Sequence, residues 1–192
     1  MKECRKRLIL ASGSPRRKEL LAYCDIPFEV ITADIDETID LNANLNDEIQ
    51  KLATRKAQKV FDEHKDAIVI GSDTIVVLDH EVLGKPKNEE RSVSMLKKLS
   101  GRVHQVITGV CIMSDEKCDT FSISTDVEFF DLSDEEIDEY VSTKEPFDKA
   151  GGYGIQGKGA LLIKGIQGDY YSVMGFPISR VNQALKRYLK DK

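Results

Sequence analysis

Three cations in a row, Arg16-Arg17-Lys18, stand directly behind Ser12-Gly13-Ser14-Pro15. Leu8-Ile9-Leu10 before them reads as a short strand, and Leu20-Leu21 after them as the apolar side of a helix. Ser14 can cap that helix, and Pro15 fits its first turn, where a missing N–H loses no bond. The cations are oddly placed. A helix N-terminus already carries partial positive charge, and each further cation there is unfavourable by about 0.3–1 kcal/mol. A bound anion reverses the sign, because free N–H groups and guanidinium forks then converge on phosphate oxygens. Two readings fit this spacing: a turn that grips phosphate and a solvated basic turn.

Further along the chain, Lys56 falls on the same face as Ile49, Leu52, Ala53, Ala57 and Val60, which recur at helical spacing behind the candidate caps Asn46 and Asp47. A lysine inside an apolar stripe either snorkels to water or points into a partly closed site to meet an anion. Asp73 sits in Gly71-Ser72-Asp73-Thr74, between the apolar runs Ala67-Ile68-Val69-Ile70 and Ile75-Val76-Val77-Leu78. A carboxylate so embedded is costly unless it is hydrogen-bonded or bound to a metal, so Asp73 is either tied to backbone N–H groups or functional. Asp34, Asp36, Glu37 and Asp40 crowd an acidic segment that reads mostly as a solvated loop, and Gly84-Lys85-Pro86-Lys87 sets two lysines on another. The glycines between 148 and 159 interleave Tyr153, Ile155 and Gln156, the mark of a shaped loop rather than a flexible linker. Together these pieces offer cations for phosphates, carboxylate oxygens for a hard divalent cation, and an amide for a base. That combination suits phosphoryl or nucleotidyl transfer, where positioning and charge stabilisation do most of the work.

The elements that would carry them alternate between strand and helix. Helices are expected from Pro15 to Cys24, behind Asn46 or Asp47, behind Asn88 up to a stop at Gly101, at the Ser133-x-x-Glu136 capping box, and from Pro177 onward. Strands are expected at 28–31, 67–71, 75–78 and 82–83, with a long antiparallel pair at 104–113 and 119–130, and a return at Leu161-Leu162-Ile163; Gly168-Asp169-Tyr170-Tyr171 reads as a turn. With 192 residues, 41% of them hydrophobic and 32% charged, the chain is sized for one soluble domain or two small lobes. A net charge of −5 argues against a protein that coats polymeric nucleic acid while leaving room for a local phosphate pocket, and no apolar stretch reaches membrane-spanning length. The basic N-terminus is followed by too short an apolar run for a signal peptide. Cys4, Cys24, Cys111 and Cys118 lack metal-type spacing and read as reduced cytosolic thiols; His64, His80 and His104 read as surface or core residues.

Ser12-Gly13-Ser14-Pro15-Arg16-Arg17 also resembles the N-terminal signature of the Maf family of nucleoside triphosphate pyrophosphatases. Leu52-Ala53-x-x-Lys56-Ala57, Gly71-Ser72-Asp73-Thr74, Gly84-Lys85-Pro86, Lys149-Ala150-Gly151-Gly152-Tyr153-Gly154-Ile155-Gln156-Gly157 and Gly168-Asp169-Tyr170-Tyr171 resemble its later motifs in the same order. Ser72 stands where the family often has alanine. The resemblance spans nearly the whole chain and implies a single Maf-like domain over residues 1–192. The implied fold is α/β, with a long mixed β-sheet flanked by helices and two lobes around a central cleft, similar to inosine triphosphate pyrophosphatases. It implies hydrolysis of a nucleoside triphosphate to the monophosphate and pyrophosphate with Mg²⁺ or Mn²⁺, and it suggests a homodimer; the charge and apolar-run lengths argue against polymeric nucleic acid and membrane as partners, and the thiols against any place but the cytoplasm. On the matching positions it makes Asp73 the proton acceptor, with Lys56 and Lys85 at the reacting phosphates. Ser14, Arg16, Arg17, Thr74 and Gln156 become substrate and specificity residues, and Glu37 joins Asp73 as a metal carboxylate. The loop form around Gln156 resembles the subgroup acting on dTTP and UTP. Two alternatives stand beside it: a nucleotide-binding regulator of septum formation and cell division with little turnover, and a pyrophosphatase of another base preference such as 7-methyl-GTP.

Overall fold

A computed structural model describes residues 6–189. Cys4 and most of the basic N-terminal run lie outside the described residues. The strands are β1 (Arg7–Ala11), β2 (Phe28–Val30), β3 (Ala67–Leu78), β4 (Glu81–Leu83), β5 (Val103–Met113), β6 (Cys118–Phe129) and β7 (Ile163–Gln167). The helices are α1 (Pro15–Ala22), α2 (Leu45–Phe61), α3 (Glu89–Leu99), α4 (Asp134–Ser142), α5 (Tyr170–Val173) and α6 (Ile178–Leu189), with 3₁₀ turns at Glu145–Asp148, Ala150–Gly152 and Gly157–Leu162. The strands form one seven-stranded mixed sheet of order β2-β1-β3-β5-β6-β7, with β4 paired to β3. β1 is parallel to both β2 and β3, while β3–β4 and β6–β7 are antiparallel. The expected mixed α/β class is therefore present.

The chain divides into two compact units. The first comprises the residues up to Asp73, Thr108–Ile123 and the chain from Gly175 on; the second comprises Thr74–Ile107 and Ser124–Met174. Each has its own core. In the first, Ile9, Ala11 and Val69 of the sheet pack with Ala53, Ala57, Val60 and Phe61 of α2 and with Cys111 and Met113 of β5. In the second, Val76, Leu78, Val127 and Phe129 of the sheet pack with Leu96 and Leu99 of α3, Ile137, Tyr140 and Val141 of α4, and Tyr153. The apolar stripes of these helices are the ones their spacing predicts.

Local signals hold where they are short-range. Ser14 caps α1 by accepting the Arg17 N–H, and Pro15 occupies its first turn. Ser133 and Glu136 close a full capping box on α4. Four expectations change. The cap of α2 is Asn44, not Asn46 or Asp47: its side chain accepts the N–H groups of both, at 2.9 and 3.3 Å, so they become first-turn residues. β3 does not stop at Ser72-Asp73-Thr74. Its edge partner changes instead, from β1 up to Gly71 to β4 from Val76, and one strand runs through. Leu161 and Leu162 are helical rather than extended, because the Glu145 carboxylate accepts the Lys158 and Gly159 N–H groups and caps a 3₁₀ turn that delays β7 to Ile163. Likewise Asp169 caps the short α5 at the Tyr171 N–H, where a plain turn is expected from sequence.

Candidate active site

The position of Asp73 follows from a glycine two residues before it. Gly71 and Asp73 share a face of β3 through the two-residue strand period. At Gly71 the backbone of α2 lies so close that an added Cβ would stand 2.2 Å from the Ala53 carbonyl oxygen and 2.7 Å from the Ala57 nitrogen. Gly109 of β5 performs the same service further along the helix, where a Cβ would stand 2.5 Å from the Ile49 oxygen. Helix and sheet thus meet backbone to backbone, and Lys56, between Ala53 and Ala57, reaches the strand. Its ammonium group donates to Asp73 Oδ2 and lies 2.7 Å from Glu37 Oε1. The Lys56 and Asp73 side chains are only 11% and 17% exposed, while Glu37 is 63% exposed. Lys56 therefore points into the site rather than snorkelling away from it. The pair is charge-assisted at both ends, which is what makes burying a lysine there tolerable.

Glu37 is presented by a loop that is not loose. Arg55, beside Lys56 on α2, donates to the carbonyls on either side of Glu37, those of Asp36 at 2.8 Å and Thr38 at 2.7 Å. Asp36 in turn accepts the Thr38 N–H and hydroxyl. The buried Glu48 accepts the Asp40 N–H at 3.0 Å. Arg55 is the functional-site residue that sequence reasoning missed; adjacency to Lys56 is its only signal.

The basic turn behind β1 adjoins the same strand, since Ala11 is in register with Gly71. Arg17 folds back across it. Its Nε donates to the Gly175 carbonyl at 2.8 Å, and its Nη1 to the Ser72 carbonyl at 2.9 Å and to Ser12 Oγ at 3.1 Å. Ser12 Oγ also accepts the Ser14 N–H. Burial pulls the Arg17 guanidinium below its usual pKa while Asp73 and Glu37 oppose that, and an arginine remains a cation throughout. Arg17 thus ties the turn to the peptide just before Asp73. Arg16 stands half-buried in the first turn of α1.

Thr74, Lys85 and Gln156 belong to the second unit. Thr74 is half-buried on β3, Lys85 is exposed on the loop after β4, and Gln156 is exposed just before the 3₁₀ turn at Gly157. The glycine-dense loop is built, as its composition predicts. The Gly151 N–H donates to the Gly84 carbonyl at 3.0 Å, which fastens the loop to the segment carrying Lys85. Gly151 has φ of +72°, and an added Cβ would stand 2.9 Å from Val76. Lys149 donates to the Glu145 carbonyl, and Tyr140 Oη accepts the Gly154 N–H. His104 Nε2 meets Tyr153 Oη at 2.6 Å inside an edge-to-face cluster with Phe129. Burial pushes the His104 pKa down from 6.5 to about 4. His104 is thus a core histidine, whereas His80 is exposed. Of the residues singled out by sequence, the structure gathers Glu37, Lys56 and Asp73, with Ser14, Arg16 and Arg17 on the neighbouring turn.

Among the described residues no group of three or more His, Cys, Asp or Glu side chains is arranged to hold a metal. Glu37 and Asp73 alone do not form a resident all-protein metal site. They fit a hard divalent cation that completes its shell with phosphate oxygens and water, as Mg²⁺ does. Also among the described residues, no helix is long and apolar enough to cross a membrane.

Fold and site define an α/β protein with a lysine-bridged carboxylate pair beside a basic helix N-terminus, an arrangement suited to polyphosphate chemistry. A family model described as Maf-like protein matches residues 7–188, and the chain belongs to the Maf family. It is 51% identical, over 97% of both chains, to a Bacillus mycoides protein named dTTP/UTP pyrophosphatase. Proteins of the same name from Bacillus cytotoxicus and Bacillus cereus are each 52% identical over 95% of this chain and 96% of their own.

Proposed function

We propose that this chain hydrolyses dTTP and UTP to the nucleoside monophosphate and pyrophosphate, by attack of water on the α-phosphorus. The observation that carries the reading is the Lys56 ammonium held between Asp73 and Glu37, in a chain half identical to relatives bearing that name. Asp73 orients the attacking water and accepts its proton. Lys56 is within hydrogen-bond reach of Asp73, so it is placed to keep that carboxylate oriented and to face the phosphate charge as substrate arrives. Arg16, the capped turn at Ser14 and Lys85 neutralise the triphosphate and the pyrophosphate leaving group. Arg17 holds the Ser72 carbonyl and so fixes the approach of Asp73. Glu37 and Asp73 are the residues that would hold a divalent cation, Mg²⁺ or Mn²⁺, which supplies charge neutralisation at the phosphates.

Base choice is assigned to Thr74 and Gln156. A uracil or thymine edge offers an N3–H donor beside the O4 acceptor, and the Gln156 amide can accept from the first and donate to the second. Cytosine reverses that pattern and would set donor against donor and acceptor against acceptor, at about 1–3 kcal/mol for each group left unpaired once the docked base covers it. The test is product analysis by chromatography after incubation with UTP, dTTP, CTP, GTP or 7-methyl-GTP and Mg²⁺. The expected result is monophosphate and pyrophosphate from UTP and dTTP, with the others slower. Binding of all five without turnover would make the protein a nucleotide sensor instead.

A further inference from the structure

The hairpin that joins β5 to β6 holds two thiols that the chemistry above does not use. Cys111 is fully buried on β5, packed with Ala53, Ala57 and Val69, whereas Cys118 is exposed at the first position of β6. Their sulfurs are 3.5 Å apart, in direct contact. The turn between them is tight: the Ser114 N–H donates to the Lys117 carbonyl at 2.8 Å, and Ser114 Oγ accepts the Glu116 and Lys117 N–H groups. Close by, a third group bridges the two strands. The Asp119 N–H donates to Tyr188 Oη at 3.1 Å, and that hydroxyl donates onward to the Ile112 carbonyl at 2.7 Å. A phenol from α6 thus bridges the two strands at the residues next to the cysteines. The hairpin end therefore has a hydroxyl spacer whose hydrogen bonds can re-form as the strands shift, and a disulfide requires the sulfurs to close to about 2.05 Å.

We propose that Cys111 and Cys118 form a reversible peroxide-oxidised dithiol site. The exposed Cys118 reacts first: its thiolate takes an oxygen from hydrogen peroxide or an organic hydroperoxide, the O–O bond breaks, and the leaving hydroxide or alkoxide is protonated to water or alcohol. The Cys111 sulfur then attacks the Cys118 sulfenic sulfur. The S–S bond forms, the S–O bond breaks, and the Cys111 thiol proton leaves with the hydroxide as water. Burial raises the Cys111 pKa, chiefly by desolvation, so Cys111 is the slow resolving thiol and not the first target. Two equivalents of an external thiol reverse the reaction and leave as their own disulfide.

Trypsin cleaves between the two cysteines, after Lys117, so the experiment reads the bond directly. The full chain, folded and reduced, is exposed to hydrogen peroxide, quenched with an alkylating agent under denaturing conditions, digested and mapped by mass spectrometry. The expected product is peptide 103–117 joined to peptide 118–144, absent after dithiothreitol and absent from the unfolded chain at the same peroxide dose. In Cys111→Ser the same dose should leave Cys118 as a sulfenic acid that dimedone traps, which preserves the test if the buried substitution perturbs the core. Alkylated Cys111 and Cys118 in equal yield before and after peroxide would overturn the proposal. So would Cys118 oxidised only to sulfinic or sulfonic acid in the wild-type chain, or joined only to Cys24.

Discussion

Replacing Gly71 by alanine tests whether the backbone contact between α2 and β3 sets the chemistry. The added Cβ would meet the Ala53 oxygen at 2.2 Å and the Ala57 nitrogen at 2.7 Å, and ordinary van der Waals contact begins at 3.4 Å. Both obstacles are helix backbone, so no side chain can swing aside. The helix must retreat by about 1 Å, a shift large enough to cost about 1–3 kcal/mol as core overpacking. For a chain of this length that lowers the thermal midpoint by about 2–10 °C. The retreat also carries Lys56 away from Asp73, and a misplacement of about 1 Å at a reacting centre costs about 10²-fold in rate. The assay pairs thermal unfolding with steady-state UTP hydrolysis. kcat should fall far more than KM rises, because the displaced ammonium serves the reacting phosphate rather than the base. Gly71→Ala with an unchanged midpoint and unchanged kcat would refute the argument that the glycine positions Lys56.

Arg55→Ala should release the loop that presents Glu37 and raise the Mg²⁺ concentration for half-maximal UTP turnover about tenfold, as loss of a ligand-orienting partner commonly does. A Mg²⁺ titration identical to wild type would make Arg55 merely structural. Gln156→Glu should depress turnover of dTTP and UTP selectively, read as kcat/KM across the nucleotide panel; equal loss on every nucleotide would remove Gln156 from base recognition. His104 contributes a pH dependence to stability. Its folded pKa of about 4 lies below 6.5, so the unfolded chain binds more protons in that window and stability falls as pH drops from 6.5 toward 4. The full effect is about 3 kcal/mol, present above pH 6.5 and lost by pH 4, and urea midpoints of His104→Gln should lack that component of the slope.

What could be read from sequence was chemistry carried by local pattern. The Ser14 cap, the Pro15 start, the α4 capping box and the apolar stripe of α2 depend on residues within a few positions of one another. Asp73 stood out because a carboxylate between apolar runs needs a partner, and Lys56 stood out because a cation on an apolar face needs one too; each is part of the other's answer. The expectations that failed turned on distant groups. The break expected at Ser72 does not occur because β3 also has β5 as a neighbour in the sheet, while its other partner changes from β1 to β4; the Asn44 cap is the exception, a local bond that the spacing left open among three candidates. The direction of Arg17 is settled by a carbonyl 158 residues away, which no spacing rule can reach. Arg55 is silent for the same reason: its partners are backbone oxygens of an irregular loop.

Water attack at the α-phosphorus through Asp73 is tested most directly by running UTP hydrolysis in ¹⁸O-enriched water with the wild-type chain and with Asp73→Asn. The label should appear in UMP and not in pyrophosphate, and the folded Asn variant should give no labelled product above background. Label in the pyrophosphate, or wild-type labelling of UMP by Asp73→Asn, would contradict it.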